Sequence, residues 1–360
     1  MITDQLLQNV EEGRKGKSWG YGMGLPKLEG IIDGVTQGTY TLLFAGSGIG
    51  KSNLMMYSYI YRPLQEHLYD DNFKITMFAL EMKADIILAK LLSTYIFETY
   101  GIYLSFKEIY SKKKGYVLED EYYEIVKECE PWLRQVESKL IIHDKAANAD
   151  SVYAILMDDL KANGKFEETD SRKIYIPNNP DLIHIVAVDH AGKLRQKDGR
   201  TKKQEIDTLS SYLVYLRNIC NISPLMIMQS NRDQSSSARR QLNMYLPQMS
   251  DVKETNEPYE DCDICMAIYS PNVDKLKTHN KYDISQLGDK FRSIVVIKSR
   301  YGESNIEDCC YFDGKCNIWK ELPAPDEIYD YSKYINSDWL IDLDNYKEKD
   351  EEPNQINFTL

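Results

Sequence analysis

TYTLLFAGSGIGKS, residues 39–52, is the stretch that decides the fold. Residues 39–45 form an unbroken apolar run, the pattern of a central parallel strand buried on both faces. The glycines at 46, 48 and 50 cannot extend that strand; they ask for a turn that side chains would obstruct. NLMMYSYIYRPLQ, which follows, reads as a helix. A strand, a glycine turn and a helix in this order make a phosphate loop. Gly46, Gly48 and Gly50 let backbone N–H groups turn inward, and the helix brings its positive N-terminal end to the same point. Lys51 then reaches the β- and γ-phosphates, and the Ser52 hydroxyl ligates Mg²⁺. The nucleotide-binding set is Ala45, Gly46, Ser47, Gly48, Ile49, Gly50, Lys51 and Ser52, with Ala45 standing where the motif has its first glycine. ATP, or another nucleoside triphosphate, with Mg²⁺ is the expected ligand.

Further strands are read at KITMFALEM (74–82), KLIIHD (139–144), HIVAVD (184–189), PLMIMQ (224–229), DICMAIY and SIVVIKSR, with helical patterns between most of them. Strands alternating with helices predict an α/β fold built on a largely parallel, twisted sheet flanked by helices. Residues 101–133, rich in Tyr, Lys and Glu, read as a helical insertion; 165–180 and 272–289 read as loops. The domain expectation is an N-terminal arm over 1–36, an ATPase domain over 37–320 and an acidic C-terminal tail over 321–360.

Three polar residues end strands where the phosphate loop begins its turn. Asp189 is placed to hold Mg²⁺ together with Ser52. Glu81 is placed to orient a water for attack on the γ-phosphate, or else is an acid favourable to the next helix's N-terminus. Gln229 is placed to sense the γ-phosphate, or else is an ordinary loop residue. No arginine lies close to the loop in sequence; Arg14 and Arg62 are the nearest.

A chain of 360 residues with 42% hydrophobic content has room for a sizeable core. No apolar run reaches the roughly 18–20 residues that span a bilayer. No secretory layout opens the chain, and the seven cysteines suit a reducing compartment, so a cytoplasmic location without membrane contact is expected. Cys262-x-x-Cys265 has no companion pair and is read as part of a strand rather than a zinc site. The net charge of −12 argues against nucleic acid only until its distribution is seen. Residues 321–360 hold eleven acids and three lysines, which leaves the first 320 residues at −4.

Taken in order, these blocks resemble the ATPase domain of DnaB-type replicative helicases, in the RecA-like family. The resemblance runs over about residues 20–319 and rests on GMGLPKLEGIIDGVTQGTYTLLFAGSGIGKSN, FALEMKADIILAKLL, KLIIHD, HIVAVDHAGKL, LMIMQSNRD, LPQMSDVKETNEPYEDCDICMAIYSP and SIVVIKSRYGE. It implies a RecA-like fold, a catalytic role for Glu81, and a trans-acting role for Lys298 and Arg300 on a neighbouring subunit's ATP. It also implies a ring, a hexamer being the expected size, and a primase or helicase loader as a partner. His190, Ala191 and Gly192 depart from the family's Tyr-Leu-Gln. The family's N-terminal collar is expected to be absent, and the compact form suggests a bacteriophage protein acting in a bacterial host's cytoplasm.

Two basic stretches follow Asp189 and Gln229. The first carries Lys193, Arg195, Lys197, Arg200, Lys202 and Lys203; the second carries Arg232, Arg239 and Arg240 among serines. In rings of this type the loops at these places line the channel. Either they track a single-stranded DNA backbone, or they are solvated loops. The expected function is an ATP-dependent helicase or translocase on single-stranded DNA. The alternatives are a recombination ATPase of RecA or KaiC type that does not unwind, and an idle ATP-binding adaptor.

Overall fold

The computed structural model describes residues 2–16, 20–169, 172–231, 237–335 and 338–340. In chain order its strands are β1 (Thr41–Ala45), β2 (Phe73–Ala79), β3 (Leu140–His143), β4 (Gly164–Thr169), β5 (Arg172–Pro177), β6 (Ile183–Asp189), β7 (Ser223–Gln229), β8 (Ile264–Tyr269), β9 (Thr278–His279), β10 (Tyr282–Asp283), β11 (Phe291–Ser299), β12 (Ile306–Asp313) and β13 (Ile318–Glu321).

Nine of these make one sheet, in the order β13-β12-β11-β8-β1-β7-β6-β2-β3. From β8 to β3 every pairing is parallel; β11, β12 and β13 continue the sheet antiparallel. The parallel strands are buried on both sides, so successive residues feed two separate cores. Leu43, Met77, Ala187 and Ile227 enter the first core, and their neighbours Leu42, Phe78, Val186 and Met226 enter the second. The helix Ala84–Tyr100 covers the first face with Ile87, Leu91 and Ile96. The helices Ala149–Ala162 and Lys202–Cys220 cover the second with Leu156, Leu160, Leu209 and Leu213.

The helix after the phosphate loop is not uniform. It runs as α-helix over Lys51–Leu54, widens to a π-helix over Met55–Tyr61 and closes again over Arg62–His67. Pro63 stands two residues beyond the end of the wide segment. It has no N–H to donate, and its ring crowds the carbonyl four residues back. All seven π-helical residues are buried.

Two segments expected as loops are ordered differently. Residues 165–180 contain the antiparallel ribbon β4–β5, paired from Gly164↔Pro177 to Thr169↔Arg172. Its strands carry Lys165, Glu167, Glu168 and Lys173, so no apolar alternation announces it; Phe166 against Tyr175, 5.0 Å between ring centroids, is its one aromatic anchor. Residues 272–289 contain the short pair β9–β10 and the helix Ile284–Leu287. The segment 101–133 is helical over Phe106–Ile109 and Asp120–Glu128, and Trp132 stacks on Tyr95 at 4.2 Å. At the other end, Leu322, Ile328 and Leu340 are buried in the first core, and Trp339 meets Tyr311 edge-on. Most of the acidic tail, 341–360, lies outside the described residues.

One buried pair locks the lower sheet edge. Asp263, 1% exposed, accepts from the Tyr40 backbone N–H at 2.9 Å and from Arg217 Nη1 at 2.6 Å. Removing Arg217 leaves the buried carboxylate only the half-exposed Arg300 as a cationic partner, 3.0 Å from its Oδ1, so the loss belongs at the lower end of the roughly 3–5 kcal/mol of a broken buried pair. Arg217→Ala is therefore expected to lower the urea-unfolding free energy by about 3 kcal/mol with little change in slope. A loss below about 1 kcal/mol, the range of an exposed pair, would mean that the pair is not a lock.

Candidate active site

β1, β7, β6 and β2 are neighbours and run the same way, so their C-terminal ends share one edge. Ala45 lies opposite Gln229, and Ala79 opposite Asp189. These strands and the turns that leave them bring five functional side chains to a cleft of about 570 Å³ at that edge. Lys51, Ser52, Glu81, Asp189 and Gln229 all line it.

The phosphate loop takes the conformation that its glycines allow. Gly48 has φ +76° and Gly50 φ +121°, both in the region that favours glycine. Ser52 Oγ donates to Asp189 Oδ1 at 3.0 Å, and Lys51 Nζ donates to the Gly46 carbonyl at 2.8 Å. Glu81 sits two residues beyond the end of β2, not within the strand, and is about half exposed.

Burial dominates the electrostatics. It raises the Asp189 carboxyl to about 6; the Ser52 hydrogen bond opposes this, Glu81 adds to it, and Lys51 and Lys90 oppose it. Burial also lowers the Lys51 ammonium, with Asp189 and Glu81 pulling the other way. A hydroxyl and a carboxylate side by side form a hard-oxygen pair suited to Mg²⁺. The glycine turn and Lys51 beside them suit the phosphates. The residues present therefore fit a Mg²⁺–nucleoside triphosphate.

Several contributors were not visible in the sequence. Lys90, on the helix Ala84–Tyr100, reaches the cleft with its ammonium 3.3 Å from Asn53 Oδ1, and burial lowers it. Arg292, almost fully buried at the start of β11, donates through Nε to the Ile49 carbonyl at 2.8 Å. It lies 243 residues from the loop it braces, so a search near the loop in sequence misses it. The ring of Trp319, stacked on Phe312, backs Gly50 so closely that an added Cβ would stand 3.1 Å from it. His190 and Lys193 both turn toward Glu81, at 3.3 and 3.5 Å.

Lys298 and Arg300 are not in this cleft. β11 is antiparallel to β8, with Ser299 opposite Ile264 and Ile264 level with Thr41. The end of β11 therefore lies at the opposite edge of the sheet, roughly 13 Å of strand from the phosphate loop. There Lys298 Nζ donates to the Tyr259 and Glu260 carbonyls at 2.7 and 3.0 Å, and Arg300 Nη1 stands 3.0 Å from Asp263 Oδ1.

The two basic stretches leave the cleft edge from adjacent strands, after Asp189 and Gln229. Their side chains are not equally available. Arg195 and Lys203 are exposed. Lys197 and Arg200 pair with Asp150 at 2.7 and 3.2 Å, and the Lys202 ammonium bonds the Leu194 carbonyl. Arg239 requires a correction. It donates to both oxygens of Asp251, a residue 1% exposed, at 2.5 and 2.6 Å, and to the Leu246 carbonyl, so it is a brace of its loop and not a free cation. Arg240 pairs with Asp274 at 2.7 Å, and Arg232 lies outside the described residues.

A family model described as the DnaB-like helicase C terminal domain matches residues 20–319. The chain belongs to this family. The replicative DNA helicase DnaB of Helicobacter pylori (strain J99 / ATCC 700824) is 24% identical over 289 residues, covering 77% of this chain and 52% of the relative. The chain thus spans about half the length of that curated relative. One solved structure, described as an ATPase domain, superposes with a TM-score of 0.67 at 15% identity, covering 90% of this chain and 99% of that one. A DnaB-like replicative helicase, solved in a study of its interactions with primase, gives 0.65 at 16% identity, over 90% and 67%. At these identities the likeness concerns the fold, and it is the RecA-like fold expected from the sequence. No helix among the described residues is long and apolar enough to cross a membrane.

The raised Asp189 carboxyl gives a signed expectation. A folded value above that of the free side chain means that the folded protein binds the proton more tightly than the unfolded chain does. The resulting destabilisation is absent below about pH 4 and complete above about pH 6. Asp189→Asn keeps an acceptor for Ser52 and removes the charge. At pH 7.5 the protein without nucleotide should gain about 1–3 kcal/mol in denaturant unfolding, and at pH 4 little or nothing. An equal gain at both pH values would contradict the assignment to charge burial.

Proposed function

We propose that this chain is the ATP-hydrolysing motor of a ring-forming helicase or translocase that moves on single-stranded DNA. The observation that carries the reading is the division of labour between the two sheet edges. One edge gathers Lys51, Ser52, Glu81, Asp189 and Gln229 beside the two basic loops; the opposite edge carries Lys298 and Arg300.

The phosphate loop and Lys51 bind the triphosphate, with Arg292 and Trp319 holding the loop in shape from beneath. Ser52 and Asp189 would hold Mg²⁺, which when bound would supply charge neutralisation on the phosphate oxygens. Glu81 accepts a hydrogen bond from the attacking water and orients it in line with the γ-phosphate. Gln229, at the foot of the second basic loop, senses the γ-phosphate and passes its presence to that loop. Lys90 adds a cation to the wall of the cleft. Transition-state charge is completed by Arg300 of a neighbouring copy, a contribution of about 10³–10⁵ in rate where such fingers have been studied. Arg195 and Lys203 are the cations best placed to follow a DNA backbone, with Lys193, Lys197, Arg200 and Arg240 available once released from their acidic partners. A hexamer is the proposed ring, and a primase or a loader the proposed protein partner.

The test is ATPase activity with and without single-stranded DNA, paired with strand displacement on a forked duplex. Stimulation with displacement is expected. Stimulation without displacement would make the protein a recombination-type ATPase, and no turnover in either condition would make it an adaptor. Glu81→Gln should bind a fluorescent ATP analogue as wild type does and lose about 10²–10⁴-fold in turnover. Wild-type turnover in that variant would remove Glu81 from the mechanism.

A further inference from the structure

The carboxylate of Glu81 is met on both oxygens by the segment that follows β6. His190 Nε2 stands 3.3 Å from Oε2, and Lys193 Nζ stands 3.5 Å from Oε1. The two contacts differ in freedom. The His190 side chain is only 12% exposed, whereas Lys193 and Glu81 are 47% and 49% exposed. His190 is fixed in the wall of the cleft; the Lys193 ammonium can swing.

The backbone beneath Lys193 cannot follow that swing. Lys193 ends the single 3₁₀ turn Ala191–Lys193, and its N–H donates to the His190 carbonyl at 2.9 Å. Ala191 before it and Leu194 after it are buried in the second core. Arg195 comes next, exposed and without an acidic partner among the described residues. Lys193 also stands on a partition. On one side is the nucleotide cleft; on the other is a smaller cavity of about 180 Å³, shared with His190, Gln229 and Lys253. One flexible cation therefore stands between the residue that would orient water and the loop that would face DNA.

We infer that Lys193 is a latch that couples nucleic-acid binding to hydrolysis: it holds Glu81 Oε1 until a backbone phosphate draws the ammonium outward. The inference rests on the reading of Glu81 as the water-orienting base and of this loop as DNA-facing. An oxygen engaged by an ammonium has less capacity to accept a hydrogen bond from a water on the γ-phosphate side. The same ammonium cannot lie against Glu81 inside the cleft and against a strand on the outer face of the loop. A half-exposed pair of this kind shifts a two-state population by a factor of about two to five. That is weak enough for one phosphate to overturn and large enough to measure. His190 remains in place through the exchange and keeps Glu81 aimed into the cleft.

The experiment measures ATPase rates of the full chain at low salt, with and without saturating oligo-dT, for wild type, Lys193→Met, Lys193→Arg and Glu81→Gln. Lys193→Met should raise the DNA-free rate roughly two- to five-fold and lower the DNA stimulation ratio by the same factor. Lys193→Arg, which keeps the cation, should restore both toward wild type. Unchanged affinity of Lys193→Met for a fluorescent ATP analogue shows that the cleft is intact. Lys193→Gln, read in the same way, keeps the test decisive should the methionine variant be unstable. A DNA-free rate in Lys193→Met equal to or below wild type overturns the latch. If Glu81→Gln is inactive in that same experiment, only the latch fails; if Glu81→Gln turns over normally, the base reading fails and the latch falls with it.

Discussion

A carboxylate held out of water at the edge of a parallel sheet is the constraint on which the rest of this structure depends. Asp189 is 2% exposed, and its side chain accepts a hydrogen bond from Ser52, on the helix that follows the loop of a strand two places away. An anion so placed is costly unless cations answer it, and Lys51 and Lys90 do so from two different helices. Parallel strands are what make the meeting possible. They end together, so side chains that are far apart in sequence arrive at one line. The two-sided burial of those strands follows, and so do the helices on both faces. The stability given up at Asp189 goes with a cleft whose residues fit a metal-bound triphosphate.

Much of this was legible in the sequence because its physical signals are local. The unbroken apolar runs at β1, β6 and β7 announce strands buried on both sides, and the glycine turn before Lys51 permits little besides a phosphate loop. Asp189 and Gln229 could be placed because each ends such a run. The remainder depends on distant contacts. The β4–β5 ribbon carries charges where an apolar alternation would have signalled it. Arg292 and Trp319 brace the loop from strands that enter the sheet some 240 residues or more later, and no local pattern points back to residues 46–52. Lys90 lies on a helix whose other positions are mostly apolar, where a single lysine reads as a solvated residue. Arg239 misled for the opposite reason: basic residues among serines look free, and only the fold shows that the buried Asp251 claims one of them.

The antiparallel turn of the sheet at β11 matters as much as the parallel part. Its start contributes Arg292 beneath the chain's own phosphate loop, and its end carries Lys298 and Arg300 to the far edge. The family resemblance implies that these two residues serve a neighbour, and their strand is next but one to β1. Strand direction, not lateral distance, separates its end from Ser52. On the proposed reading a single chain carries one half of a site at each edge, the geometry that copies arranged head to tail would need.

The most direct measurement of that claim is subunit mixing. Lys51→Ala disables the phosphate loop of a copy and leaves its far edge intact; Arg300→Ala does the reverse. Each variant alone should be nearly inactive as a single-stranded-DNA-stimulated ATPase. After exchange of subunits, some interfaces join an intact loop to an intact Arg300, and the mixture should recover a measurable fraction of wild-type turnover. Full stimulated activity of Arg300→Ala by itself, or of wild type diluted to a monomer, would contradict the account.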